Sequence, residues 1–470
     1  MRVKITVVLS LLMGATAAGA AEDMLDVYEA GVRNDPRFRA AFFEYQAALQ
    51  KIPQARAELL PQISFDARHS RTDQDILERE QPIFGTGRSR FTTQTWQFQA
   101  SQPIFRYSSW AQLAQSHAVV RQAFAVYTAA EQELILRAAA LYLNVLASRD
   151  RVMLSEAELA AVGRQLQLVQ AQRRGGLAAI TDEHEAQARY SVVQADLIEA
   201  TYALDDSYQA LRELAGDAVT SLYMLDTGIP LLPPQPADLD QWVARAVDQN
   251  LLLLARKAAV EVAEQETRRV RGSHYPNVEL VASSGNTDVG GAVTGGASKT
   301  DTTVVGVQFS MPIFSGGIVQ ARAREADMTL ERVKQEQVQE HRLVMRETRG
   351  AFQGVTSAIQ RVRALEASLT SQQSAVEGRT RGFRSGVYTL LDLLDSEREL
   401  FATERDLARA RYEYLLNLLQ LKRQTGTLSR EDLEYMNGLL DRSRTLRVAG
   451  GTEAFEEAPA APRSAVFLEP

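Results

Sequence analysis

The sequence predicts a mainly α-helical protein that also carries strands of a membrane β-barrel and is built from two internal repeats. Three observations indicate this fold class: a duplicated sequence, two very long helical stretches and four stretches of alternating polar and apolar residues. Residues 101–105 (SQPIF) return at 310–314 (SMPIF), and residues 176–182 return at 386–392. An offset of about 210 residues is too long for a solenoid unit, so each copy is predicted to form one structural half.

The chain begins with a stretch that is typical of a secretory signal peptide, residues 1–20. Two basic residues precede a short apolar run, and Ala-Gly-Ala at 18–20 provides the small side chains of a cleavage site. After it we expect a first repeat over residues 21–230 and a second over 231–442. Residues 443–470 are rich in Gly, Ala, Pro and Glu and are predicted to be a disordered tail.

The composition excludes several classes of protein. The chain has no cysteine, which excludes disulfides, thiolate metal sites and a lipid-bearing N-terminal cysteine. Its formal net charge of −7 disfavours nucleic acid as a partner. The five histidines lack metal-ligand spacing, and no P-loop, GxSxG or HExxH sequence occurs. We therefore expect no enzyme activity, no cofactor and no metal.

Each half contains one very long predicted helix, over about residues 108–173 and 319–384, where proline is absent. At 1.5 Å per residue each would be about 100 Å long and would need lateral partners along its whole length. Heptad spacing in the helices that follow predicts a left-handed coiled coil and is seen in Leu393, Leu400, Leu407, Tyr414 and Leu421, and in Tyr190, Leu197, Leu204 and Leu211. The heptads alone are equally compatible with an isolated antiparallel coiled coil.

Each half also contains two stretches in which apolar and polar residues alternate, as in strands with one apolar face. They predict one β-hairpin over about residues 61–105, followed by long helices to about 215, and one over about 276–314, followed by long helices to about 425. The polar segments between the paired strands, about 69–91 and 285–300, are predicted to be exposed loops.

Four strands with one apolar face cannot hide their edges in a bilayer, because lipid offers no hydrogen bonds. The chain is therefore expected to oligomerise and close a barrel. Three copies give twelve strands, within the range of outer-membrane barrels, and two copies give eight. The alternative is a periplasmic coiled-coil scaffold or adaptor protein, which accounts for the heptads but not for the strands.

The chain resembles the TolC family of outer-membrane efflux proteins from residue 24 to about residue 440. The resemblance rests on the paired Pro-Ile-Phe corners, on GLAAITD at 176–182, and on LDLLD at 391–395 leading into ARYEYLLN at 410–417. It implies a homotrimer in which a twelve-stranded β-barrel in the outer membrane of a Gram-negative bacterium continues into a twelve-helix periplasmic α-barrel.

The resemblance also implies a function and partners. The protein would be a passive exit duct for small molecules, for proteins of type I secretion, or for both. Its partners would be a periplasmic adaptor protein, an inner-membrane transporter and outer-membrane lipid. Docking of the first two would open the duct.

Asp392 and Asp395 are three residues apart and so share one face of a helix. In a trimer they would form two rings of three carboxylates, which attract cations as acidic rings do in cation-selective pores. A second interpretation is that residues 389–392 form an N-cap with an acidic first turn, and the two are compatible. In the family that the chain resembles, this pair forms the acidic constriction.

In the proteins that the chain resembles, a threonine and an aspartate on the first tip accept links from a tyrosine and an arginine on the second, and these links hold the tunnel shut. The first two correspond to Thr181, which is also a predicted N-cap, and Asp182. The sequence departs from the family at the other two, which correspond to Phe383 and Tyr388. Phe383 has no hydroxyl to donate, and Tyr388 brings a neutral donor in place of a guanidinium.

A substitute for the missing links must come from other side chains of the second tip. We expect Tyr388, or the nearby Arg381 or Arg384, to bond Asp182 instead. The closing network of the family is therefore not preserved residue by residue in this sequence.

The two tips are also the expected docking surface for the adaptor protein. They are the ends of the long helical hairpins, rich in glycine and small apolar residues. The residues assigned to this surface are Gly176, Leu177, Ala178, Ile180, Gly386, Val387 and Leu390.

Overall fold

The computed structural model describes residues 21–77, 87–226, 228–291 and 296–447. This part of the chain is mainly helical, as predicted. The predicted signal peptide lies outside the described residues, as do residues 448–470 of the predicted tail. None of the described helices contains a run that is long and apolar enough to cross a membrane.

The described residues form ten α-helices, of which four are long. The short ones are α1 (Met24–Asn34), α2 (Pro36–Leu49), α3 (Lys51–Ala57), α6 (Leu239–Gln249), α7 (Leu251–Arg271) and α10 (Arg430–Asn437). The long ones are α4 (Tyr107–Arg174), α5 (Ile180–Ala215), α8 (Ile318–Arg384) and α9 (Leu390–Gln424). With 68 and 67 residues, α4 and α8 are each about 100 Å long, and both begin within two residues of the predicted starts.

The four long helices lie side by side. α4 packs against α5 and α9, and α9 packs against α8, which gives the row α5–α4–α9–α8. Among the described residues α5 and α8 are thus the outer members of the row, each with one long side that no other long helix covers. The short helices α6 and α7 pack against α8 in its N-terminal half, nearer the larger sheet, and α7 also packs against α4.

The described strands form two antiparallel sheets. The larger contains β1 (Gln62–Ile76), β2 (Gly87–Phe105), β4 (Asn277–Val289) and β5 (Ser298–Ser310), and the smaller contains β3 (Ser221–Leu225) and β6 (Leu440–Arg447). The larger sheet has the order β1-β2-β4-β5, so the two hairpins pair through β2 and β4. Phe65 stands opposite Phe98, with ring centroids 4.8 Å apart, so the apolar side chains of neighbouring strands share one face.

The strands are longer than predicted, and the segments 69–91 and 285–300 are not simply loops. β1 continues to Ile76 and β2 begins at Gly87, while β4 continues to Val289 and β5 begins at Ser298. The prediction ended each strand where the apolar face ends. The backbone ladder continues through polar positions, where Asp73 stands opposite Arg90, because strand pairing does not require apolar side chains. The Asp73 carboxylate also forms a diagonal salt bridge with Arg88 at 2.7 Å.

The predicted tail also begins too early. Residues 443–447 belong to β6, which pairs with β3. Leu440 and Leu446 of β6 are buried in the largest core of the chain, and this burial holds the strand in place. The sequence prediction missed both β3 and β6, because each is short and lies among polar residues.

The largest core joins the small sheet to the middle of α4 and α8 and to the C-terminal parts of α5 and α9. It contains residues of α1, α2, α4, α5, α6, α8, α9, α10, β3 and β6. Its fully buried side chains include Met24, Leu134, Tyr142, Leu143, Leu146, Leu211, Leu222, Leu415 and Leu419. Parts of the chain as far apart in sequence as Met24 and Leu446 therefore depend on one hydrophobic cluster.

The position of Leu419 in this core predicts a large loss of stability on truncation. Leu419→Ala removes a fully buried side chain and leaves a cavity, so we expect it to cost about 2–5 kcal/mol. Thermal denaturation followed by circular dichroism measures the effect. The matched control is Leu177→Ala, whose side chain is 83% exposed; equal shifts in both variants would contradict the placement of the core.

Candidate functional site

The candidate site comprises two tips, which are the turns that end the long helical hairpins. The first tip (residues 175–182) joins α4 to α5, and the second tip (residues 385–392) joins α8 to α9. Gly176 and Gly386 hold the left-handed conformation at these turns, with φ of 73° and 77°. The N–H groups of Leu177 and Val387 each donate, at 2.8 Å, to a carbonyl in the last turn of the preceding helix. Both helices therefore end in the same Schellman motif, for which glycine is preferred.

The two tips pack against each other through a small apolar cluster. Its buried members come from α4, α5 and α9, and three half-buried side chains pack against them. The buried members are Leu166, Val169, Ala186, Leu390 and Leu394, and the half-buried ones are Ala178, Tyr190 and Phe383. Phe383 therefore fits this cluster, because its phenyl ring adds apolar surface and carries no hydroxyl that would need a hydrogen-bond partner.

The exposed surface of the tips differs from the predicted docking surface at Leu390, which is buried, and at Ala178, which is half-buried. Leu177 is 83% exposed, Val387 is 75% exposed and Ile180 is also exposed, as expected. Leu390 is buried in the tip cluster, and its neighbour Leu391 is exposed in its place. Helical spacing accounts for this: Leu390 lies three and four residues before the buried Leu393 and Leu394 and so shares their face.

Asp392 has a structural role at the start of α9. Its carboxylate accepts hydrogen bonds from the N–H and the hydroxyl of Thr389 at 2.9 and 2.6 Å, while its own N–H donates to the Thr389 hydroxyl oxygen at 3.2 Å. This is a capping box, so the N-cap interpretation of residues 389–392 is confirmed. The bond from the Thr389 hydroxyl is the main reason that the pKa of Asp392 lies below its ordinary value. Asp392 and Asp395 are both exposed in the single chain.

At the first tip the cap differs from the prediction. α5 begins at Ile180 and its N-cap is Ala179, so Thr181 is not the cap and lies exposed in the first turn. The carboxylate of Asp182 accepts a hydrogen bond from the N–H of Ala179 at 3.2 Å. Asp182 thus accepts from the N–H of the N-cap residue, as the third helical residue does in a capping box, while alanine has no hydroxyl to supply the reciprocal bond.

The expected substitute link to Asp182 does not form within the single chain. Among the described residues, Asp182 accepts no hydrogen bond from Tyr388, Arg381 or Arg384. The ring of Tyr388 lies directly on Gly382, where a methyl group would overlap it, and Arg381 pairs with Glu377 on its own helix at 3.6 Å. The ring of Tyr388 and the guanidinium of Arg381 therefore both lie against α8.

Comparison with known proteins shows the family. The model of the family described as "Outer membrane efflux protein" matches residues 27–217 and 242–427. "Outer membrane protein TolC" of Vibrio cholerae serotype O1 is 32% identical over 419 residues, which are 89% of this chain and 93% of that protein. "Alkaline protease secretion protein AprF" of Pseudomonas aeruginosa is 29% identical over 414 residues, 87% of this chain and 86% of that protein.

Solved structures share the fold. The outer membrane protein VceC of Vibrio cholerae superposes with a TM-score of 0.71 at 19% identity, over 86% of this chain and 96% of that one. The chain belongs to the outer membrane efflux protein family. It is therefore a passive outer-membrane channel protein of a Gram-negative bacterium and not an enzyme, and this membership favours a channel over the alternative of a periplasmic scaffold or adaptor.

The contact between Tyr388 and Gly382 predicts a local effect of one methyl group. Gly382→Ala forces the ring of Tyr388 off α8, so we expect faster hydrogen exchange at residues 385–389. The matched control is Gly378→Ala, one turn earlier on α8, where the added methyl group meets nothing within 4 Å. It should stabilise the helix by up to about 1 kcal/mol, and equal exchange in the two variants would show that Tyr388 does not depend on this contact.

Proposed function

We propose that the protein is an exit duct of the outer membrane that passes small molecules, secreted proteins or both, and that it works as a homotrimer. The observation that carries this proposal is the pair of open sides on one chain. The larger sheet has open edges on β1 and β5, and the helical row has open sides on α5 and α8. The sheet and the helical row close in the same way: β5 of one copy pairs with β1 of the next, and α8 of one copy packs against α5 of the next.

The apolar face of the larger sheet requires a lipid environment. The apolar face of the strands is exposed in the single chain, and it includes Ile63, Phe65, Val305, Val307 and Phe309, each more than half exposed. A face of this size is costly in water and favourable in a bilayer. Three copies of four strands give twelve, and three copies of four long helices give a helical barrel of twelve that extends into the periplasm. The two repeats of each chain then supply six similar units around one axis.

The open side of α5 carries one stripe of exposed residues. They follow helical spacing and lie opposite the side that packs on α4, where Val193 and Ala200 are buried. Ile198 and Tyr202 are 67% and 73% exposed, and the stripe continues with Asp206, Gln209 and Glu213.

The open side of α8 carries a matching stripe. It lies opposite Val355 and Val362, which are buried against α9. Its exposed residues, read toward the barrel, are Ala364, Gln360, Ser357, Gln353 and Arg349. Large side chains on α5 thus correspond to small or polar ones on α8, and the acid Glu213 corresponds to Arg349.

The two stripes lie at the same height along the row. Three hydrogen bonds between neighbouring helices lie at one level across the row. They are Glu199 with Arg151, Asp150 with Tyr412, and Arg411 with Glu366. Successive bonds use adjacent residues, Arg151 and Asp150 on α4 and Tyr412 and Arg411 on α9. These bonds put Glu199 on α5 level with Glu366 on α8. In a closed ring Ile198 then meets Ala364, and Glu213 meets Arg349.

The tips supply the gate in this proposal. Three copies bring Asp392 and Asp395 into two carboxylate rings around the axis, where they select cations. Phe383 packs the tips closed in place of a hydroxyl-mediated link, and Asp182 and Tyr388 are left to contact the neighbouring copy. A periplasmic adaptor docks on the exposed Leu177, Ile180, Val387 and Leu391, and an inner-membrane transporter supplies the energy.

Charge exchange between the two stripes tests the ring. Arg349→Glu places two acids together at each of three interfaces, so we expect the trimer to dissociate at a lower temperature on native gels. An exposed ion pair contributes about 1 kcal/mol or less, and the threefold repetition makes the change measurable. Glu213→Arg in the same chain should restore the wild-type temperature. Failure of the double variant to recover would contradict this pairing.

Removal of the tip carboxylates tests the gate. Asp392→Asn/Asp395→Asn keeps the size and an acceptor oxygen for the capping box but removes six charges from the trimer. We expect cation selectivity, measured as reversal potential in a planar bilayer under a salt gradient, to fall toward that of an unselective pore. The control is Asp406→Asn, which is exposed on the same helix two heptads from Asp392. Unchanged selectivity in the double variant would refute the rings, and no channels in the wild type would refute the duct.

A further inference from the structure

One seam joins the two helical hairpins of the chain between the core and the tips. It is the contact of α4 with α9, since α4 and α5 form one hairpin and α8 and α9 the other. Three polar pairs cross this seam, one at about every second turn, in a constant antiparallel register. They are Asp150 with Tyr412 at 2.6 Å, Glu158 with Arg405 at 2.7 Å, and Gln165 with Glu397 at 3.5 Å. The apolar tip cluster follows directly after the last pair.

The middle pair is fully compensated. The side chain of Glu158 is only 6% exposed, and its two oxygens accept from two guanidinium groups, Arg189 of α5 at 2.9 Å and Arg405 of α9 at 2.7 Å. Each oxygen of this buried carboxylate therefore has a charged donor.

The pair nearest the tips is not compensated in the same way. The amide Nε2 of Gln165 lies 3.5 Å from Oε1 of Glu397. The remaining oxygens, Oε1 of Gln165 and Oε2 of Glu397, are both buried, and no donor reaches either of them among the described residues. Two buried acceptors without a donor are unfavourable. A proton on the Glu397 carboxyl supplies the one donor that this pair lacks.

The charges around Glu397 do not remove the need for this proton. From α4 it faces Arg164 and Glu158, which act in opposite directions, and Glu158 is itself paired with two arginines. From α8 the guanidinium of Arg379 bonds Ser396, the residue before Glu397. Burial is the largest influence and raises the pKa of Glu397 above its ordinary value, while the Gln165 amide and Arg164 partly oppose it.

We propose that Glu397 holds a proton while the seam between α4 and α9 is closed and releases it when the seam opens, so that acid keeps the tips shut. This inference rests on the proposed channel function. Glu397 acts through the seam and touches no cargo, so it is a positioning residue of the gate.

The direction of the pH effect follows from proton linkage. The closed seam binds a proton more tightly than the open one, where Glu397 meets water and regains an ordinary pKa of about 4.5. The extra stability of the closed seam is therefore fully present below about pH 4.5 and is lost as the pH rises through the raised pKa. Across that range the ratio of closed to open changes by up to about tenfold per pH unit for each seam.

Single-channel recording of the full-length protein between about pH 4.5 and about pH 7.5 tests this. We expect the open fraction of the wild type to rise steeply with pH. Glu397→Gln keeps a neutral side chain that donates to Gln165 at every pH, so its open fraction should stay low and vary less than about twofold. Gln165→Leu leaves the carboxyl with no polar partner and should move the transition to higher pH. Glu399→Gln, an exposed position on the same helix, should behave as the wild type.

A second measurement is independent of channel activity. Infrared titration of the purified protein in detergent should show a protonated carboxyl that persists above the ordinary glutamate range and is missing in Glu397→Gln. Wild-type pH dependence retained in Glu397→Gln, or a protonated carboxyl equally present in that variant, would overturn the inference. Absence of current in every protein while the infrared band behaves as expected would instead refute the channel function.

Discussion

The rest of the structure depends on one constraint, the unpaired backbone groups at the two open edges of the larger sheet, on β1 and β5. In lipid an open strand edge costs several kcal/mol for each unpaired group, and β1 and β5 each present such an edge over more than ten residues. A closed ring of copies removes all of these edges at once. α4 begins two residues after β2, and α8 begins eight residues after β5, so the long helices follow the strands into the proposed ring.

The arrangement of the long helices in a single row also accounts for where the chain places its buried hydrophobic residues. Its one large core lies where the small sheet, α1 and α10 meet the long helices. Toward the tips the hairpins depend on narrow seams, with a cluster of five buried side chains at the end. A wall one helix thick cannot bury much apolar area. Polar pairs and helix caps therefore supply a larger share of the stabilising interactions near the tips. Parts that move in a channel are expected to come from such weakly packed regions.

Sequence reasoning was most accurate where one local pattern decides the structure. The long helices begin and end within one or two residues of prediction, because long stretches rich in Ala, Leu, Gln, Glu and Arg and without proline strongly favour one continuous helix. It was least accurate where tertiary contacts decide. Ala179 replaces Thr181 as a cap because the preceding turn fixes the first helical residue. Leu390 is buried and Leu391 exposed because of packing on α4. β6 forms because Leu440 and Leu446 find a core that is assembled from distant segments.

The register of the seam between α4 and α9 restricts how the tips can move. Its three polar pairs recur at nearly equal intervals, so a slide of one helix along the other by a single turn would separate all three pairs at once. The next position that matches polar with polar lies one heptad away, a displacement of about 10 Å. Sliding would therefore disrupt all three pairs together. In the proposed channel, opening would instead swing the two hairpins sideways about the core, so that the helices keep their register along their length.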